Sequence, residues 1–402
     1  VAIDSNANVA MIECMIFSQE RPLCGGFAII VEPRLRRVNL DHPSVFSVNP
    51  TRKKDCQCRS LFLPVCGVCR ASKKRTEGAR NTMKIGVFTV LFGQWSLEKA
   101  LDYIAESGCE MVELGTGNYP GKPHCDPDKL LGDKAAQKAL LKAVESRGLA
   151  ISALSCHGNP LHPDKKIANE HHETHRKTVQ LAKELGVSTV VNFSGCPGDG
   201  PKATKPNWVT CPWPPDYGEI LEWQWNEVVI PYWKEEAKFA KQNKVKIAFE
   251  MHPGFVVYNV ETLLKLRNAC GDTLGCNFDP SHLFWNGVDP CAAIRKLGDA
   301  IFHVHAKDCR VDPINVSING CNDAKPYGDE INRSWIFRTV GYGHDYQTWK
   351  DLVSTLKLIG YDYVLSIEHE DSLMSVNEGL KKAVAFLKEV VIAEKAGEMW
   401  WA

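Results

Sequence analysis

Eight short apolar runs, each followed by a polar loop and then a longer helical pattern, fill residues 83–402 of the chain. They are Ile85–Val90, Met111–Leu114, Ala150–Ser155, Ser188–Phe193, Lys246–Phe249, Leu274–Phe278, Ile301–Val304 and Tyr363–Ile367. Most are rich in Val, Ile and Phe and too apolar on both faces for a half-exposed sheet. They read as buried parallel strands. The intervening segments repeat every 3.6 residues. Leu97, Leu101, Ile104 and Ala105 share one face, with Ser96 as N-cap and Gly108 as stop. The last segment opens with the capping box Ser375-x-x-Glu378. Eight such units in succession predict an α/β fold, a closed (β/α)8 barrel rather than an open doubly wound sheet. The absence of GxGxxG after the first run also weighs against a dinucleotide fold.

Charge separates the barrel from what precedes it. The chain carries 48 basic and 48 acidic side chains, but residues 1–82 hold 13 basic against 7 acidic ones and no sustained period. They are expected to be a disordered or wrongly assigned leader, with the folded domain spanning 83–402. Cys56, Cys58, Cys66 and Cys69 form a CxC…CxxC pattern there, read either as a zinc knuckle or as chance cysteines. Sixteen cysteines in 402 residues are too few for a disulfide scaffold, and most stand singly; they are expected to be reduced, in a cytoplasmic protein. No stretch approaches the roughly 18 unbroken apolar residues of a membrane span.

Two connections are long. Residues 194–222, after the fourth run, are rich in Gly, Pro and Trp, and residues 309–345, after the seventh, in Asn, Asp, Gly and aromatics. Loops of this length over a barrel mouth are expected to be lids and substrate walls. Trp208, Trp213, Trp223, Trp225 and Trp233 lie in or beside the first of them, either stacking on sugar C–H faces or packing the lid onto the rim.

The last four runs end on Glu250, Asp279, His305 and Glu368. In a barrel those ends are neighbours around the mouth, so three carboxylates and one imidazole can converge on one point. With no thiolate, this set suits one hard or borderline divalent ion, Mn²⁺ first and Mg²⁺, Co²⁺, Fe²⁺ or Zn²⁺ behind it. An octahedral ion would keep two positions for adjacent substrate oxygens, a geometry that polarises a carbonyl.

The same residues carry a resemblance. Phe249-Glu250-Met251-His252-Pro253-Gly254, Asn277-Phe278-Asp279-Pro280-Ser281-His282, His303-Val304-His305-Ala306-Lys307-Asp308 and Ser366-Ile367-Glu368-His369-Glu370 resemble the signature blocks of the xylose-isomerase-like TIM barrels. That superfamily is also called AP endonuclease family 2 or the sugar phosphate isomerase/epimerases. The likeness covers Met83 to Ala402. It implies a metal held by Glu250, Asp279, His305 and Glu368, with Glu250 and Glu368 as acid/base groups on opposite faces of a keto sugar or related polyol. It also implies that His282 contacts substrate oxygens. The inosose dehydratases are similar too, which keeps a lyase acting on a keto-inositol or 3-keto-glycoside as the alternative. A DNA-repair endonuclease fits less well, because residues 83–402 carry 35 basic against 41 acidic groups and four ligands suit a single ion.

Further residues are candidates for the pocket. His157 is read as substrate-binding or proton-shuttling, or as a hydrogen-bonded rim histidine. His252 shares a side with Glu250 in an extended chain. Lys307 faces a substrate oxyanion or an ion pair with Asp308 or Glu250. Arg338 meets a phosphate or hydroxyl, or forms a surface salt bridge. Glu113 is a candidate partner behind the ligands. His171 and His175 are read as a solvated helix surface. The expected partner is a small-molecule carbohydrate, with no nucleic acid and no membrane; a homo-oligomer stays open.

Overall fold

The computed structural model of the chain describes residues 83–394 and 397–402. The expectations for residues 1–82, including the Cys56–Cys69 cluster, lie outside the described residues.

Eight parallel strands close into a barrel: β1 (Lys84–Phe88), β2 (Met111–Gly115), β3 (Ala150–Ser155), β4 (Thr189–Asn192), β5 (Lys246–Glu250), β6 (Leu274–Phe278), β7 (Ile301–Ala306) and, after an antiparallel pair β8 (Asp308–Val311) and β9 (Trp335–Arg338), β10 (Val364–Ile367). β10 closes the ring by pairing with β1 on one side and β7 on the other. Helices cover the outside, as apolar strands buried on both faces require. The two N-caps read from sequence are present: Ser96 Oγ accepts from Lys99 N, and Ser375 Oγ from Glu378 N, which is the N-cap half of the capping box read there. Among the described residues no helix is long and apolar enough to cross a membrane, and ten cysteines are free thiols.

β6 and β7 approach closely at Gly275, where a Cβ would collide with the Phe302 ring and the Ala300 carbonyl oxygen. Backbone oxygen cannot rotate away. Gly275→Ala is therefore expected to lower stability by about 3 kcal/mol, read from the denaturation midpoint.

Three expectations need correction. The first run stops at Phe88, because Thr89–Phe92 turns as a 3₁₀ helix with Thr89 Oγ1 bonded to the Glu113 carbonyl at 3.0 Å. The tryptophans do not all wall the mouth. Trp225 and Trp233 are core residues; Trp233 packs edge-on against Phe249, and its Nε1 donates to Ser194 O at 2.8 Å. His175 is not solvated. On the helix Lys165–Leu185 it lies fully buried beside Thr178, Val179 and Ala182, 3.2 Å from Asn192 Nδ2 and 3.7 Å from Glu236 Oε2. Burial holds its imidazole neutral, with the pKa down to about 4. His171 is also engaged, its Nδ1 accepting from Asn159 N at 2.8 Å. Polar partners on the barrel side let histidines occupy a face that sequence alone assigns to water.

The long connection after β7 is structured. β8 and β9 pair from Asp308↔Arg338 to Val311↔Trp335, with the short helix Pro313–Asn319 between them. Asp308 fastens its two ends together. Its Oδ2 accepts from the backbone N–H groups of Gly341, Gly343 and His344 and from Trp349 Nε1, at 3.0 to 3.2 Å, while Oδ1 accepts from Cys309 N. With its carboxylate so occupied, Asp308 is not the partner of Lys307.

Candidate metal centre

Strand ends position the four candidate ligands. Glu250 is the last residue of β5, and His305 lies near the end of β7. Asp279 follows β6 and caps the next helix, its Oδ1 accepting from Ser281 N at 2.8 Å; that bond turns Oδ2 toward the mouth. Glu368 follows β10 directly. One ligand atom from each of the four lies within 4.8 Å of those of the other three. All are buried except Glu368, whose side chain is 14% exposed.

Glu250 is held by three groups. His157 Nε2 and Asn277 Nδ2 reach its Oε2 at 3.1 and 3.2 Å, and His282 Nε2 reaches Oε1 at 3.2 Å. Burial opposes ionisation, yet His157, His282 and His305 keep the Glu250 carboxyl well below its usual range. Asn277 is fixed from behind by His303, whose Nδ1 donates to its Oδ1 at 2.8 Å.

His305 is oriented by Glu113. Its Nε2 lies 3.0 and 3.1 Å from the two Glu113 oxygens, which also accept from Ser155 and, at 2.7 Å, Ser366. Burial raises the Glu113 pKa, but His305 and His303 outweigh it and bring it down to about 2. The Nε2 proton therefore belongs with Glu113, and Nδ1 faces the ligand cluster. It lies 2.9 Å from Glu368 and 3.1 Å from Glu250, without hydrogen-bond alignment to either. A carboxylate behind an imidazole fixes the tautomer and raises ligand basicity. Glu113→Gln, which removes that charge, is expected to weaken divalent-ion affinity by about 10- to 100-fold in a chelator competition.

Lys307 sits inside the cluster. Its Nζ is 3.2 Å from Asp279 Oδ2 and 3.0 Å from both Glu368 and Glu370. Burial penalises the ammonium, but Asp279, Glu368 and Glu370 push its pKa well above the usual lysine value. The ion pair expected for Lys307 is thus present, with different carboxylates. His252 lines the mouth, its ring centroid 4.2 Å from that of His282. Arg338 is engaged elsewhere, its Nε 3.1 Å from Asp371 Oδ2.

Whether these residues fit a metal can be judged from their unspent atoms. Asp279 Oδ2, His305 Nδ1 and Glu368 Oε2 are buried and make no aligned hydrogen bond. Lys307 faces the two carboxylate oxygens as an ion pair, but none of the three atoms has the directed partner that buried polar atoms normally have. Four buried or nearly buried carboxylates, counting Glu113, are balanced by the Lys307 ammonium and by His305, where burial is outweighed by Glu113 and Glu368, which push its pKa well above the usual value. A divalent cation would take the place of the His305 Nδ1 proton and supply further charge and bonds.

Sequence reading missed Asn277, His303, Ser155 and Ser366. The signal for two of them was the period of two along a strand: Asn277 aligns with Asp279, and His303 with His305 and Lys307.

The model of the xylose isomerase-like TIM barrel family matches residues 101–390, and the chain belongs to that family. The uncharacterised protein YfiH of Bacillus subtilis is 41% identical over 312 residues, covering 77% of this chain and 99% of its own. An inosose dehydratase of Clostridium tetani is 34% identical over 92 residues, 21% of this chain and 31% of that protein. Solved structures share the fold. The IOLI protein, crystallised with a zinc atom, matches at TM-score 0.54 and 20% identity, and a D-tagatose 3-epimerase-like protein at 0.52 and 22%. Each match covers 77% of this chain and 98% of the other.

Proposed function

We infer that the chain is a divalent-metal-dependent sugar isomerase or epimerase that removes a proton next to the carbonyl of a keto sugar or related polyol. The observation that carries this reading is the convergence of Glu250, Asp279, His305 and Glu368, three of whose ligand-type atoms make no aligned hydrogen bond. Those four side chains would hold one ion, Mn²⁺ first by donor type, and the zinc of the IOLI structure makes Zn²⁺ the first competitor. A divalent ion bound there would polarise the substrate carbonyl and so acidify the neighbouring C–H.

The chain's own groups divide the remaining work. Glu250 and Glu368 take and return the proton at their carboxylate oxygens, from the end of β5 and from just beyond β10. His282 and His157, beside Glu250, and His252, beside His282, contact substrate hydroxyls. Lys307, beside Glu368, keeps a positive charge next to the oxygen that gains negative charge. Burial of the cluster keeps bulk water from competing for the proton. The free thiols support a reduced, cytoplasmic setting.

A second reading, loss of water after the same proton removal, is favoured by the match to the inosose dehydratase. One experiment tests both. The Mn²⁺-loaded protein is incubated in D₂O with ketoses, keto-inositols and oxidised glycosides and followed by NMR. Deuterium entering beside the carbonyl with an epimeric or isomeric product supports the first reading; new alkene signals support the second. No exchange with any of these compounds overturns the shared step.

A further inference from the structure

Beside the ligand cluster lies a cavity of about 260 Å³ lined by His252, Tyr327, Ile336, Phe337, Glu370 and Ser372. Phe337 forms the boundary. Its ring stands 5.4 Å edge-on from His282 and 4.6 Å beneath Lys307 Nζ, so the cavity begins where the reacting groups end. Outward from Phe337 the lining sets Tyr327 and Ile336 beside the polar Glu370 and Ser372, and its aromatic part is built. Tyr327 lies nearly parallel to Phe337 at 5.9 Å and is 58% exposed. The Arg333 guanidinium lies 4.6 Å from the Tyr327 ring and 4.5 Å from the Trp335 ring. Arg333 is itself buried, with Nε donating to Trp335 O at 3.1 Å. An exposed ring backed in this way is held in place before any ligand arrives, which lowers the ordering cost of binding.

A free keto sugar carries a hydroxyl on nearly every carbon and meets its polar partners among the histidines and Lys307. It would leave Tyr327 and Ile336 uncovered. A flat apolar group attached to the sugar would cover them. We propose that this cavity is a subsite for an aryl substituent, so that the substrate is a ketone-bearing sugar ring joined to an aromatic aglycone rather than a free monosaccharide. The inference rests on the metal-dependent sugar reading above and narrows its substrate class.

The test uses ligands without a carbonyl, so that binding is read apart from turnover. Phenyl β-D-glucopyranoside, methyl β-D-glucopyranoside and cellobiose are titrated into the metal-loaded full chain by calorimetry, with saturation-transfer NMR for weak binding. The phenyl glycoside is expected to bind about tenfold more tightly than the methyl one or more. Tyr327→Ala and Ile336→Ala should each remove most of that preference, and Tyr327→Phe should retain it. Tyr327 is largely exposed, so its loss leaves the barrel core intact. Equal affinities, failure of the phenyl glycoside to bind, a preference for cellobiose, or a phenyl preference unchanged in both alanine variants overturns the proposal. Deuterium exchange with free ketoses separates the two levels. Exchange without phenyl preference removes the subsite and keeps the function; phenyl preference without exchange of any ketone does the reverse.

Discussion

Glu250→Gln and Glu368→Gln are each expected to cut turnover by a factor on the order of 10² or more while retaining part of the bound metal. Glutamine keeps the shape and one oxygen donor but cannot take a proton from carbon. Metal ligation and nearby positive charge lower carboxylate basicity, so neither glutamate would be a useful base for an ordinary C–H. The polarised substrate is a far stronger acid, and the transfer is short in a buried site. The two variants should differ in metal retention. Glu250 accepts from His157, Asn277 and His282, and an amide placed there sets N–H against N–H on one side. Glu368 meets Lys307 through Oε2, and the oxygen of a glutamine can still accept from that ammonium, so its replacement disturbs less. Steady-state kinetics with elemental analysis of the same preparations checks both points. Near-normal turnover in both variants would move the base role to His157 or His252. His282→Ala should instead raise KM more than it lowers kcat.

Asp279→Asn and His305→Ala are expected to abolish most metal binding while the barrel stays folded, because the site lies at the mouth rather than in the hydrophobic core. The asparagine variant is the cleaner of the two. Asn caps a helix about as well as Asp, so the bond to Ser281 N survives while the charge at Oδ2 is lost. Elemental analysis should give one ion per wild-type chain and a small fraction of that in both variants, with unchanged far-UV circular dichroism. Unchanged metal in both variants would show that the ligands have been wrongly placed.

The sequence made some parts of this protein legible and hid others for definite reasons. Local patterns report local structure, so strand cores, helix caps and the residues ending the last four barrel strands could all be read. A barrel topology turns those ends into neighbours without further information. What stayed hidden depends on contacts distant in sequence. The hairpin β8–β9 pairs segments separated by more than twenty residues, and its alternation is visible only over Trp335–Arg338. His175 could not be placed because Asn192 and Glu236, which make its burial tolerable, belong to other elements. Trp225 and Trp233 lie near a loop in sequence but in the core in space. Glu113 was legible as a candidate partner behind the ligands, whereas its bond to His305 spans 192 positions.

The Asp308 clasp has a consequence for how this protein can change. The excursion from Cys309 to His344 leaves and rejoins the barrel at one carboxylate, fixed by six hydrogen bonds that involve no candidate ligand. Both ends are therefore pinned whatever lies between them, and lengthening a loop with fixed ends costs little. The chain behaves here as a cassette in a socket. Phe337 and Tyr327, carried on the cassette, can be exchanged for other walls while the donor set keeps its geometry. Divergence in what such barrels accept should therefore concentrate between the two ends of the clasp.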